Sequence, residues 1–322
     1  MPTDRRRFLA CATMLTAGAA APVAGRALAQ SRSSGSADAD AEPVPPPIGG
    51  EPMRRPIPGT RETLPAIGLG TADAFDSSTQ GLQQSPLSDV LAMLLRTPGS
   101  VLDTAPSYGT AEAVAGELLR LHNARRQVFL ATKISAPAAS APAQWARSQR
   151  ELHSEAVDLL QVHNLIDWQE NLRFLRQLQE QGKTRYIGVT HYRADAHAAL
   201  EQIVRSEKID FVQVNYSVGE REAERTLLPL CRQRGIAVLI NRPFQDGRLF
   251  RAVQGKPLPP WAGELDCASW GQLFLKFIIS HPAVTAAIPA TSKPRHMRDN
   301  LGAALGRMPD AKQRERIAAL VA

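Results

Sequence analysis

Cysteine is scarce: Cys11, Cys231 and Cys267 are the only three in 322 residues, too few for a disulfide-built scaffold. Past the first thirty positions no run is long and apolar enough to span a bilayer, which takes ~20 apolar residues. No Gly-x-Gly-x-x-Gly follows any apolar run, so the usual dinucleotide fingerprint of an open doubly wound sheet is missing. No His-x-His pair and no carboxylate cluster closes such a run, which leaves a metal-dependent hydrolase without ligands. The formal net charge is +7, yet no basic block accompanies it. Nucleic acid is therefore not an expected partner, while a basic pocket for a phosphorylated cofactor remains compatible with that balance.

The amino-terminal stretch reads as an address rather than as fold. Arg5-Arg6-Arg7-Phe8-Leu9 precedes an Ala-rich, weakly apolar run to about position 21, and Ala27-Leu28-Ala29 offers small residues where a signal peptidase cuts. The arginine pair before Phe8-Leu9 makes residues 1–29 resemble a twin-arginine signal, with the twin-arginine export machinery as partner and the periplasm as destination. A membrane anchor is the alternative, disfavoured by the shortness of the run. Residues 30–52 are rich in Ser, Ala, Asp, Gly and Pro and bury too little apolar surface to offset ordering entropy, so a disordered linker is expected there. Residues 53–322 form the folded unit, large enough for one α/β barrel, and a monomer is expected. Cys231 falls in a helical pattern and reads as a buried thiol; a Cys231–Cys267 disulfide is the alternative in an oxidising compartment.

Apolar runs and helical patterns alternate along this unit. A two-strand plug with a turn at Pro58-Gly59-Thr60 precedes a first strand, 66–71, whose Gly68 and Gly70 let a ligand approach the backbone before Thr71. Strands end at Asp103, at Lys133 and at His163, and further strands are expected at 186–189, 211–214, 236–240 and 284–288. Helices are expected at 87–96, 111–121, 143–152, 171–181, 195–205 with Asp195 as cap, 222–234, 269–280 and 294–305. A longer loop, 241–265, breaks the spacing. The strands are continuous apolar runs, as parallel strands buried on both faces are. The expected fold is a (β/α)8 barrel with a short β-hairpin plug; an open doubly wound sheet is the alternative. In a barrel the carboxyl ends of the strands share one face. Asp103, Tyr108, Lys133 and His163 would therefore meet, although each alone has a plainer reading: a cap, a rim residue, a solvated amine, an interior histidine.

These residues carry a resemblance. Ile67-Gly68-Leu69-Gly70-Thr71, the stretch Asp103 to Gly109, Ala131-Thr132-Lys133, Leu159-Leu160-Gln161-Val162-His163, Ile187-Gly188-Val189, Gln213-Val214-Asn215-Tyr216 and Ile288-Pro289 through Asn300 together resemble the aldo-keto reductases, in family order, over roughly 54–306. The resemblance implies NADP(H), with NAD(H) as the alternative, and a small-molecule carbonyl substrate. It makes Tyr108 the proton donor, Lys133 the ammonium that lowers the phenol's pKa, Asp103 the carboxylate that holds Lys133, and His163 the group that orients the carbonyl. It places Gly70, Thr71 and Gln213 at the nicotinamide. Thr190 and His191 stand where many members have Ser-Asn. Asn241, Arg242, Pro243 and Phe244 stand where an aromatic residue usually stacks, with Arg242 free to stack, to meet a phosphate or to form a plain salt bridge. Thr291, Ser292, Lys293, His296 and Asn300 match the pocket for the adenosine phosphate, although Ala290 replaces a usual lysine. The tail after the last helix is short, which implies an open pocket. Two functions follow: a carbonyl reductase, or an exported nicotinamide-nucleotide-binding sensor or partner subunit with little or no turnover.

Overall fold

The structure, a computed structural model, describes residues 50–321. The stretch expected to be an export signal, and nearly all of the expected linker, lie outside the described residues. A hairpin of β1 (Arg54–Pro56) and β2 (Thr63–Pro65) comes first, antiparallel, its turn carried by Gly59 at φ 75°. Eight strands follow: β3 (Leu69–Gly70), β4 (Ser100–Asp103), β5 (Val128–Ile134), β6 (Val157–His163), β7 (Thr184–His191), β8 (Phe211–Asn215), β9 (Ala237–Asn241) and β10 (Ala286–Ala287). They pair in chain order, all parallel. Parallel bridges Ile67–Ala287 and Gly70–Ala290 join the first strand's segment to the last, so the sheet closes on itself as expected.

Among the described residues ten α-helices accompany them: α1 (Pro86–Leu95), α2 (Ala111–Leu121), α3 (Ala141–Glu151), α4 (Trp168–Glu180), α5 (His197–Ser206), α6 (Leu227–Arg234), α7 (Arg248–Ala252), α8 (Trp270–Ile279), α9 (Pro294–Gly302) and α10 (Ala311–Ala318). None is long and apolar enough to cross a membrane among the described residues. The ends follow local chemistry. Ser85 and Ser269 accept backbone N–H groups at the starts of α1 and α8, and Gly235 in the left-handed region stops α6. Asp195 departs from expectation. A 3₁₀ turn at Ala194–Ala196 precedes α5, the cap position falls to Ala196, and the Asp195 carboxylate pairs with Arg193 instead.

Two apolar layers hold the barrel. The larger packs the helices onto the outside of the strands. The smaller fills the interior: Ile57 and Leu64 of the plug meet Val101, Phe129, Tyr186 and Phe211, with the Phe129 and Phe211 rings 5.7 Å apart. Gly188 sits in this interior because a Cβ there would lie 2.3 Å from the Phe211 carbonyl oxygen. Cys231 and Cys267 are free, buried thiols, not a disulfide; burial pushes each up to about 12.

The carboxyl terminus adds an unforeseen helix. In α10 only Ile317 is buried, so no apolar stripe announces it. A capping box, Asp310 with Gln313, opens it. Arginines attach it: Arg314 donates to the Tyr216 hydroxyl at 2.6 Å and lies 4.2 Å over the Phe277 ring, while Arg316 lies 4.2 Å over Trp261.

One buried acid stands behind the sheet. Glu112 on α2 is 1% exposed and accepts hydrogen bonds from Thr132 (2.6 Å) and Ser148 (2.9 Å). Burial lifts its pKa to about 7. A carboxyl that binds its proton more tightly when folded loses stability as pH rises from the unfolded pKa through the folded one. The protein should therefore lose on the order of 3 kcal/mol between pH 4.5 and 8 from this group. Glu112→Gln should flatten that slope and raise the melting temperature at pH 8 but not at pH 5; an unchanged pH trend in thermal melts would remove Glu112 as its source.

Candidate active site

Parallel strands deliver their last residues to one end of the barrel. Asp103 ends β4, Lys133 lies near the end of β5, and His163 ends β6. Lys133 is fully buried, at 0% exposure. Its ammonium donates to Asp103 Oδ2 at 2.7 Å and to the Thr104 carbonyl oxygen at 2.7 Å. The other Asp103 oxygen accepts from Gln213 Nε2 at 2.8 Å, so both carboxylate oxygens are engaged from different strands. Tyr108 reaches the group from the loop after β4. Gly109, at φ 59°, turns the chain there, and a Cβ on it would lie 2.3 Å from the Asp76 carboxylate that binds the Thr110 N–H. The Lys133 ammonium is 4.9 Å from the centre of the Tyr108 ring, and the His163 ring stands edge-on to it at 5.7 Å and 85°. The four side chains expected to meet do meet.

Their electrostatics differ from expectation at one member. Burial acts to lower the Lys133 pKa, but the charges of Asp103 and Tyr108 outweigh it and hold the amine above its ordinary range. The phenol was expected below its ordinary range. Instead burial lifts Tyr108 above it; Lys133 pulls downward, while Asp103 and Asp73 add to the rise. Desolvation of the phenolate exceeds the attraction of an ammonium already engaged with a carboxylate. His163 is held to about 3 by burial, then by the Lys133 and His191 charges, and so is neutral at any working pH.

The residues assigned to a cofactor fall into two groups. At the strand ends, Thr190 donates to Gln213 Oε1 at 3.2 Å, and Asn241 Nδ2 lies 3.4 Å from the same oxygen. His191 stacks on Tyr192, with centroids 5.5 Å apart and planes 1° apart, and accepts the Arg193 N–H. Arg242 adopts the salt bridge: its guanidinium pairs with Asp246 at 2.6 Å and rests 5.7 Å from the Tyr192 ring centre. Pro243 is buried, and Phe244 packs on Phe250 at 4.8 Å. The second group opens α9. Thr291 Oγ1 accepts the Lys293 N–H, Ser292, Lys293 and His296 are exposed, and Asn300 is buried. The Gly70–Ala290 bridge sets this segment beside Gly70 and Thr71.

Buried polar atoms test whether a dinucleotide suits this end. Thr71 Oγ1, Thr104 Oγ1, Asn164 Oδ1 and Asn241 Oδ1 are all buried without a hydrogen-bond partner, and all lie at or just past strand ends on this face. Leaving such groups unpaired costs ~1–3 kcal/mol each, so a polar ligand suits the site. Four participants had no role assigned from the sequence, although Thr104 and Ser107 lie inside the Asp103–Gly109 stretch. Ser107 and Ser135 contact His163 Nδ1 at 3.2 and 2.7 Å, the Thr104 carbonyl accepts from Lys133, and Asn164 sits at φ 50°. Ser135 was detectable in principle: two residues past Lys133, it continues the same side of an extended strand.

Comparison with known proteins agrees with this geometry. The model of the aldo/keto reductase family matches residues 66–321. Methylglyoxal reductase YeaE of Escherichia coli (strain K12) is 30% identical over 247 residues, covering 74% of this chain and 84% of the relative. The NADH-specific methylglyoxal reductase of the same organism is 28% identical over 239 residues, 63% of this chain and 71% of its own length. An aldo/keto reductase from Klebsiella pneumoniae, solved with NADP and acetate, superimposes with a TM-score of 0.68 at 27% identity, covering 82% of this chain and 94% of that one. With the closed barrel, the buried lysine at its mouth and the family match over most of its length, the chain belongs to the aldo/keto reductase family of oxidoreductases.

Proposed function

We propose that this protein reduces small aldehydes or ketones to alcohols with NADP(H), Tyr108 supplying the proton. The observation that carries the reading is the fully buried Lys133, clamped by Asp103 and facing the Tyr108 ring. Thr71, Thr190, Gln213 and Asn241 would hold the nicotinamide end, the Arg242–Phe244 loop would lie along the middle, and Thr291, Ser292, Lys293, His296 and Asn300 would take the adenosine phosphate. When bound, the cofactor supplies the hydride. The chain does the rest. His163, neutral, donates a hydrogen bond to the carbonyl oxygen and fixes its direction. Tyr108 holds its proton through neutral pH because burial keeps its pKa high, then gives it up to an oxygen that becomes far more basic than a phenol as negative charge develops. Lys133, permanently charged, stabilises the phenolate left behind.

The names of the two Escherichia coli relatives point to methylglyoxal, a 2-oxoaldehyde, as the first substrate to try. NADH is the alternative donor, since one relative is NADH-specific and Ala290 offers no ammonium to a 2′-phosphate. We also propose that the protein acts after twin-arginine export, carrying its nucleotide across in folded form. A second reading, a nucleotide-binding sensor or partner subunit, is favoured by the loop after β9, where Asn241 or Arg242 stands in the place of a stacking ring.

Steady-state oxidation of NADPH with methylglyoxal separates the two. Tyr108→Phe should lower kcat by ~10²–10⁴-fold while NADPH fluorescence quenching persists. Wild-type turnover no faster than that variant, with quenching intact, would leave the binding-module reading in its place. Asp103→Asn should strand the buried ammonium and destabilise the fold by about 3–5 kcal/mol in urea melts, with Lys133→Met in the same chain recovering much of the loss; additive losses would show that the pair is not coupled.

A further inference from the structure

His163 can donate to a carbonyl oxygen only if its proton sits on the outward nitrogen. A neutral imidazole has one N–H and one lone pair, and the partner of one nitrogen decides which is which. Here Nδ1 meets two hydroxyls, Ser135 Oγ at 2.7 Å and Ser107 Oγ at 3.2 Å. The shorter distance is typical of an O–H donor and short for an N–H one. Ser135 is itself fixed: its backbone N–H donates to Gln144 Oε1 at 2.7 Å, which anchors the first residue past β5 to α3. Ser107 belongs to the loop that presents Tyr108, so the ring is steadied from two adjacent strand ends. Nε2 has no protein hydrogen-bond partner among the described residues, and the ring lies edge-on to Tyr108.

We propose that Ser135, assisted by Ser107, is a positioning residue that donates to Nδ1 and fixes His163 as the tautomer protonated on Nε2. This rests on the carbonyl-reductase reading for its use, but not for its measurement. Without the two hydroxyls the neutral ring samples both tautomers, and the fraction with the proton on Nδ1 turns a lone pair toward the carbonyl oxygen and repels it.

Side-chain ¹⁵N NMR of histidine-labelled full-length protein reads the tautomer directly, with His163→Asn identifying the signal. The wild type should show an unprotonated Nδ1 and a protonated Nε2 between pH 6 and 8. In Ser107→Ala/Ser135→Ala the two resonances should move toward each other. Ser135→Ala should lower kcat for methylglyoxal by about tenfold with NADPH affinity unchanged, and Ser135→Thr, which restores a hydroxyl, should recover most of it. A wild-type His163 protonated on Nδ1, or a double variant of unchanged melting temperature whose nitrogen shifts match the wild type, would overturn the proposal. If the protein turns over no carbonyl compound while the NMR result holds, the reductase reading fails and the tautomer assignment stands.

Discussion

An ammonium with no access to water is the constraint around which this barrel is arranged. Lys133 at 0% exposure is tolerable only because its charge is matched at 2.7 Å by Asp103, it donates to a backbone carbonyl, and it lies over the Tyr108 ring. Asp103 in turn gives its second oxygen to Gln213, four strands away in the sheet order. Gln213 then touches Thr190 and Asn241. One ionic contact thus organises side chains from five strands. A buried pair of this kind adds little net stability, since desolvation offsets its attraction. What it does provide is a fixed positive charge in a low-dielectric setting, where charge acts most strongly on its neighbours.

That setting explains the reversal at Tyr108. The sequence puts an ammonium near a phenol and from that alone a lowered pKa follows. The fold adds burial, and it adds Asp103 and Asp73, whose charges oppose the lysine. The sum of an ion pair is nearly neutral from a distance, so the phenol experiences less of Lys133 than a bare charge would give. His163 responds to the same environment in the same sense: burial and a nearby cation both disfavour the imidazolium.

The parts legible beforehand were those with strong periodicity or a motif. Strand β6 and helix α2 fall at the expected residues because continuous apolar runs and a clean helical stripe leave little choice. The tetrad was legible because strand ends in a parallel barrel converge whatever the intervening helices do. Three features were not. Helix α10 is attached through Arg314 to Tyr216, Glu224 and Phe277, so these contacts carry no hydrophobic period. Asp195 lost its cap role to a 3₁₀ turn, which propensity does not anticipate. Ser107 and Ser135 matter through a shared contact to one nitrogen, a relation between residues 28 positions apart that a one-dimensional reading does not weigh.

The hairpin plug has a further implication. With Ile57 and Leu64 wedged among Phe129, Tyr186 and Phe211, the barrel is stoppered at one end, and among the described residues the opposite end is its doorway. It is a cul-de-sac rather than a conduit: whatever enters to reach the amine leaves by the way it came, and a molecule resting in that doorway shuts in everything beneath it.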